Sequence, residues 1–261
     1  MIARLHANSL AVNATDTTPS DAPTSNTASS AAVPSSAAAP AAAPTGGGQH
    51  EHLEATKRYY DEFARRYDDR RGGRVPGGYH DMLDDLELGF LRRYAHHKTV
   101  LEVGCGTGLL LQRMTDFASA AEGVDLSPGM LQHARDRGLT VKLGSATALP
   151  YHDATFDVAC SFKVLAHVRD IHTAINEMLR VVRPGGTVVA EFYNPHSMRA
   201  LVKRYGPAGR IGQRTTEAAV YTRFDTPAQV TSMLPPTAHI IDSRGVRIFT
   251  PAAKALRIPL L

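Results

Sequence analysis

Ten residues, Thr99-Val100-Leu101-Glu102-Val103-Gly104-Cys105-Gly106-Thr107-Gly108, restrict the fold of this chain more than any other segment. Thr99 to Val103 form a β-branched, apolar run of strand length, suited to a buried parallel strand. Glycines at alternate positions then allow a sharp turn and let backbone approach a ligand with no Cβ between them. Good helix formers resume at once in Leu109-Leu110-Leu111-Gln112-Arg113-Met114. Strand, glycine turn and helix in that order make the βα unit of a nucleotide-type site, its amide N–H groups facing the ligand. A second apolar run, Gly123-Val124-Asp125-Leu126-Ser127, carries Asp125 about 20 residues after the first glycine. That is the usual offset for a carboxylate that accepts hydrogen bonds from a ribose diol.

Not all of the 261 residues belong to that unit. Residues 11 to 48 contain no Lys, Arg or aromatic residue and are dominated by Ala, Ser, Thr and Pro. Such a segment buries too little apolar surface to offset its ordering entropy. Residues 1–50 are therefore expected to be a disordered tail, and deletion of residues 1–48 to leave the melting temperature nearly unchanged. Met1-Ile2-Ala3-Arg4-Leu5 has one arginine and no long apolar run after it, which argues against a secretory leader. No run of 18 apolar residues exists, so no membrane span is expected. Two cysteines do not support a disulfide framework, and a cytoplasmic, reducing location is expected.

The remainder, roughly 210 residues, suits one domain with a sizeable core. Residues 51–97 read as an N-terminal helical cap and 98–261 as the core, with an insertion at about 194–223. Aromatics at 59/60, 63 and 67 have helical spacing. Helices are also expected near 79–94, 128–137 and 170–182, the last stopped by Arg183-Pro184-Gly185-Gly186. Strands are expected at 99–103, 120–125, 140–143, 156–161 and 187–193. A closing pair within 239–250 is joined by a tight turn. Net charge is +4, and the basic cluster at 57–74 is interleaved with Asp61, Glu62, Asp68 and Asp69. That pattern reads first as a solvated helix face and second as a surface steering an anionic substrate.

A dinucleotide fingerprint needs a glycine where Leu109 stands. The pattern present is Gly-x-Gly-x-Gly with an acid, Glu102, two residues before the first glycine, and it resembles motif I of the class I S-adenosylmethionine-dependent methyltransferases. The resemblance runs from about residue 57 to about 250 and points to the small-molecule branch typified by ubiquinone and menaquinone biosynthesis. It implies a Rossmann-like α/β fold: a seven-stranded, mostly parallel sheet with one antiparallel strand, helices on both faces and an N-terminal helical lid. It also implies S-adenosyl-L-methionine as cofactor, a small-molecule acceptor methylated on oxygen, carbon or nitrogen, and no metal.

The same resemblance distributes roles. Gly104, Cys105, Gly106 and Gly108 line the cofactor, with loop N–H groups toward its carboxylate and Glu102 near its amino group. Asp125 takes the ribose hydroxyls, while Leu126 and Met130 sandwich the adenine. Family members carry Gly-Asp-Ala before Leu-Pro; here the segment is Gly144-Ser145-Ala146-Thr147-Ala148-Leu149-Pro150. Ser145 thus replaces an aspartate that reads the adenine amino group, with Ala146 beside it. Cys160 to Val168 match the segment where methionine and substrate meet, which makes Cys160 a further cofactor contact. Tyr-Tyr-Asp-x-Phe-Ala-x-x-Tyr-Asp matches the lid helix and makes Tyr59, Tyr60 and Tyr67 substrate-side candidates, with Tyr193.

His167 is either a proton acceptor or a packing histidine, Lys163 either a cleft residue or a snorkelling surface lysine. His80 is a third catalytic candidate. A nucleic-acid methyltransferase is disfavoured, because Cys160-Ser161-Phe162-Lys163 stands where base-amine enzymes carry Asn/Asp-Pro-Pro-Tyr/Phe. No aromatic-interleaved basic platform is present either. A non-catalytic cofactor-binding module, with Ser145 as its support, is the remaining alternative.

Overall fold

The computed structural model describes residues 1–7, 46–64, 67–70, 78–205, 210–211, 215–216 and 221–246. In chain order the elements are β1 (Ile2–Ala7), α1 (Gly46–Ala64), α2 (Tyr67–Arg70), α3 (Tyr79–Ala95), β2 (Thr99–Val103), α4 (Leu109–Met114), β3 (Ala120–Asp125), α5 (Pro128–Asp136) and β4 (Thr140–Leu143). There follow β5 (Phe156–Ser161), a single 3-10 turn at Leu165–His167, α6 (Ile171–Val181), β6 (Val182–Glu191), α7 (Met198–Tyr205), β7 (Arg210–Ile211), β8 (Thr215–Thr216), α8 (Pro227–Ser232) and β9 (Ala238–Arg244).

Seven strands join in one sheet of order β4-β3-β2-β5-β6-β1-β9. The five from β4 to β6 are mutually parallel. β1 runs antiparallel to both of its neighbours, β6 and β9. The sheet is therefore mostly parallel with one antiparallel member, and its faces are covered differently. Leu101, Val103, Ala159 and Val188 pack with α6 and Val230 of α8. Val100, Val158, Cys160 and Val189 pack with α3 and α4. Because β2 has β3 on one side and β5 on the other, the chain reverses its direction of travel across the sheet there. In open α/β sheets a crevice for ligands forms at the carboxyl ends of such strands.

Local chemistry explains the boundaries. Ser127 caps α5 by accepting from Met130 N, and Pro128 follows at the first helical position. Asp170 caps α6 through Thr173 N. Arg183-Pro184-Gly185-Gly186 ends the helix as expected but belongs to β6, bulging from the ladder between Phe156↔Val182 and Val158↔Thr187.

One expectation is corrected at the chain's start. Residues 1–50 are not all tail: Ile2, Ala3 and Leu5 are fully buried. Met1 N donates to Phe192 O at 2.8 Å, and Phe192 N donates back to Met1 O. A six-residue strand buried on both faces has its own composition, which the tail's Ala/Ser/Pro bias does not describe. Among the described residues, β9 pairs antiparallel with β1. The stretch expected to supply the second strand of the closing pair, 247–250, lies outside the described residues, as do 8–45 and much of the 194–223 insertion.

Candidate functional site

The glycine turn sits at the carboxyl end of β2. Gly104, Gly106 and Gly108 all have positive φ, at 78°, 55° and 82°. A Cβ on Gly104 would overlap the Val164 side chain, so backbone and β5 loop touch there. A Cβ on Gly106 would meet nothing within 4 Å. The turn thus presents bare backbone toward open space at its middle glycine.

Its N–H groups are used differently from the expectation. Gly104 N and Cys105 N donate to Val124 O at 2.7 and 3.1 Å, and Gly108 N donates to Cys105 O at 2.9 Å. Gly106 N donates to Asp125 Oδ2 at 2.9 Å. These four donors hold the turn to β3 and to itself, which corrects the reading of them as a cradle for a ligand carboxylate. A chain reversing this tightly must satisfy its own buried donors first.

Asp125 ends β3 and also accepts from Ser127 N at 2.9 Å through Oδ1. Burial raises its pKa, and the N–H groups of Ser127 and Gly106 pull against that rise. An ionised carboxylate accepts about four hydrogen bonds, so both oxygens retain capacity for a diol. Leu126 is half-buried, and Met130 on α5 is almost fully covered. Ser145 Oγ lies 2.8 Å from Thr147 Oγ1 and accepts from Thr147 N at 3.2 Å. This hydroxyl shapes its own turn, and Ala146 packs on the core beside it. Ser145→Asp retains an acceptor for Thr147 N and adds charge. Cofactor affinity measured by calorimetry is expected to rise about threefold to tenfold, as for a hydrogen bond becoming charge-assisted; a marked loss would show that this turn does not face adenine.

Glu102, on β2, is 3% exposed, and burial raises its pKa well above the ordinary carboxylate range. Among the described residues its Oε2 has no hydrogen-bond partner. Lys163 follows β5 in a left-handed conformation, φ 64°. Its Nζ reaches Glu87 Oε2 at 2.7 Å and Asp84 Oδ1 at 3.1 Å, both on α3, and its N–H donates to Glu191 Oε2 at 2.8 Å. Lys163 is therefore pinned in the cleft, which corrects the snorkelling reading. His80 lies one turn before Asp84 on α3, half-buried, its ring edge-on to Tyr79. Cys160 is corrected too: it is fully buried, with Sγ 3.9 Å from Met114 Sδ, inside the core beneath Glu102. Cys105 Sγ packs against Gly123, where a Cβ would come within 2.6 Å.

The helical cap is tied down by the acids expected to be solvated. Asp61 Oδ1 accepts from Ser127 Oγ at 2.5 Å and from Gly129 N at 2.9 Å. Asp68 accepts from Thr107 Oγ1 at 2.8 Å and pairs with Arg137. Both acids point inward, because the rotation of α1 and α2 on the core places them over the glycine turn and α5. The rings of Tyr59, Tyr60, Phe63 and Tyr67 form a continuous edge-and-stack series. The Tyr60 hydroxyl is buried, and burial, Tyr67, Tyr59, Tyr193 and Asp125 together push its pKa up.

His167 ends the 3-10 turn that follows β5. Its Nδ1 is 2.8 Å from Tyr221 O. A carbonyl only accepts, so in the neutral ring the proton sits on Nδ1 and the lone pair on Nε2. The Tyr193 ring stands perpendicular to it at 6.1 Å, and Phe224 lies 6.0 Å beyond Tyr193. Sequence reasoning missed Asp84, Glu87, Glu191 and the tethering role of Asp61 and Asp68. For Glu87 a signal existed: an acid on the apolar stripe formed by Leu83, Phe90 and Leu91.

Comparison with known proteins places residues 101–190 in a family described as "Methyltransferase domain". The chain is 28% identical over 192 residues to a malonyl-[acyl-carrier protein] O-methyltransferase from Halorhodospira halophila, covering 66% of this chain and 63% of that protein. It is 34% identical over 148 residues to a demethylmenaquinone methyltransferase from Renibacterium salmoninarum, covering 52% and 60%. A ubiquinone biosynthesis O-methyltransferase from Burkholderia orbicola is 28% identical, with 64% and 76% covered. The chain spans about three fifths of the length of the first two relatives. Among solved structures, a DhpI-SAM-HEP complex is similar at TM-score 0.52 and 25% identity, covering 72% of this chain and 88% of that one. No described helix is long and apolar enough to cross a membrane.

Proposed function

We propose that this chain, a member of the class I S-adenosylmethionine-dependent methyltransferases, transfers the methyl group of that cofactor to a small-molecule acceptor, at an acidic hydroxyl. The observation that carries the cofactor half is the pairing of the open glycine at 106 with the donorless buried oxygen of Glu102. A buried acceptor lacking a donor is costly, and an amino group is the partner that relieves it. The residues therefore fit the cofactor. Glu102 would accept from its amino group, Asp125 from the ribose hydroxyls, and Leu126 and Met130 would flank the adenine, with Ser145 and Ala146 at its edge. When bound, S-adenosylmethionine supplies a methyl on a positively charged sulfur that leaves neutral, so displacement is in line.

The chain's own task is alignment and removal of one proton. His167, with Nδ1 held by the Tyr221 carbonyl, offers Nε2 as the base for an acceptor hydroxyl. Tyr60, Tyr193 and Phe224 supply aromatic walls, which suits a phenolic acceptor. Of the relatives, the ubiquinone biosynthesis O-methyltransferase supports this choice by its name, while the malonyl-[acyl-carrier protein] O-methyltransferase is why a carboxylate is included among the acceptors tested.

The test is transfer of labelled methyl from S-adenosylmethionine to phenolic, amine and carboxylate acceptors and to RNA. The expected product is the labelled aryl methyl ether, released with S-adenosylhomocysteine. His167→Gln should lower kcat by about a hundredfold, the lower end for general-base catalysis, while leaving S-adenosylhomocysteine affinity within about twofold. Exclusive labelling of RNA would replace this reading with a nucleic-acid methyltransferase.

A further inference from the structure

We propose that Glu87, pinned by Lys163, is a second carboxylate for the ammonium group at the amino-acid end of the bound cofactor, working beside Glu102. The proposal rests on the cofactor reading above and extends it to a residue on α3 that motif spacing does not mark.

Glu87 is fully buried, and Oε2 is committed to Lys163 Nζ at 2.7 Å. Its other oxygen, Oε1, is buried and has no hydrogen-bond partner among the described residues. Glu102 Oε2 is in the same condition, on a different element. Glu102 shares a face of β2 with Val100, which packs in one cluster with Leu83, Leu88 and Leu91 of α3, the helix that carries Glu87; in keeping with that placement, Lys163 favours ionisation of both acids and Glu87 opposes that of Glu102. Two donorless carboxylate oxygens in one buried place call for a donor with several N–H groups. A primary ammonium has three.

The Lys163 ammonium is shared between Asp84 and Glu87, against four carboxylates, Asp84, Glu87, Glu102 and Glu191, that gather around it. An incoming ammonium adds positive charge to this acidic group. Lys163 also holds a left-handed backbone conformation that a non-glycine residue adopts at a cost, and Glu191 Oε2 fixes it by accepting Lys163 N–H. That posture directs the lysine at α3 and leaves Glu87 Oε1 unengaged. Lys163 is on this view a positioning residue, not the base.

The experiment is calorimetry on the full chain with two ligands, S-adenosylhomocysteine and 5′-methylthioadenosine, which share the nucleoside and thioether but differ in the amino-acid end. Glu87→Gln should weaken S-adenosylhomocysteine by about tenfold or more, the value of a charged hydrogen bond, and change 5′-methylthioadenosine by less than about twofold. Glu102→Gln is the reference and should behave alike. If the single change does not fold, Glu87→Gln/Lys163→Gln removes both charges of the pair together and is read the same way. Unchanged S-adenosylhomocysteine affinity, or equal weakening of both ligands, overturns the proposal. If Glu102→Gln loses the preference and Glu87→Gln keeps it, this inference falls and the cofactor reading stands. If the unaltered chain binds neither ligand, the cofactor reading falls as well.

Discussion

A chain lacking residues 1–7 is expected to show no cooperative unfolding transition. β1 lies between β6 and β9 and is laddered to both. Its loss opens the sheet, unpairs β9 and leaves buried ladder groups of β6 without partners. Each buried orphan costs about 1–3 kcal/mol. Burial of Ile2 and Leu5 contributes about 1.5–3 kcal/mol apiece. Together these reach the 5–15 kcal/mol, roughly, by which a domain is stable at all. The graded version is Leu5→Ala, expected to cost about 2–5 kcal/mol as a lower midpoint in urea with unchanged slope. Circular dichroism against temperature checks the truncation. A melt within a few degrees of the full chain would return these residues to the tail that composition alone suggests.

Asp125→Ala should remove most cofactor binding. If the carboxylate takes the ribose diol, its loss costs on the order of 1.5–3 kcal/mol, about tenfold to a hundredfold in Kd. The structure adds a second loss. Asp125 also holds Gly106 N and Ser127 N, so alanine releases the glycine turn and the entry to α5 together. Affinity for S-adenosylhomocysteine should therefore fall beyond a hundredfold. Titration calorimetry measures this directly, and an unchanged Kd would put the sugar elsewhere.

The parts of the site that local chemistry determines were readable from the sequence. Gly104 to Gly108, the Ser127-Pro128 entry to α5 and the Arg183-Pro184-Gly185-Gly186 stop each depend on a few adjacent residues. β1 was not readable, since its burial depends on pairing with residues far along the chain and its short length carries little periodic signal. Cys160 misled for a related reason. Strands of a sheet covered on both faces read as continuous apolar runs, so which side a residue points to is not written in the pattern. Asp61 and Asp68 share their helices with exposed charges, and only the docking angle decides which acids turn inward. Glu87 was legible in retrospect as a charge on an apolar stripe.

The pairing of β1 also governs when the molecule can assemble. Ile2 finds its partners at Glu191 and Arg244, so during synthesis β1 waits until β6 and β9 have both been made before it can dock fully. Closing so long a span adds entropy that other contacts must offset, and non-local pairing of this kind slows folding. Until then the flank of β6 stands uncovered, a template for intermolecular strand addition. Yield on expression should accordingly respond to growth temperature and chaperone supply more than the stability of the finished protein would suggest.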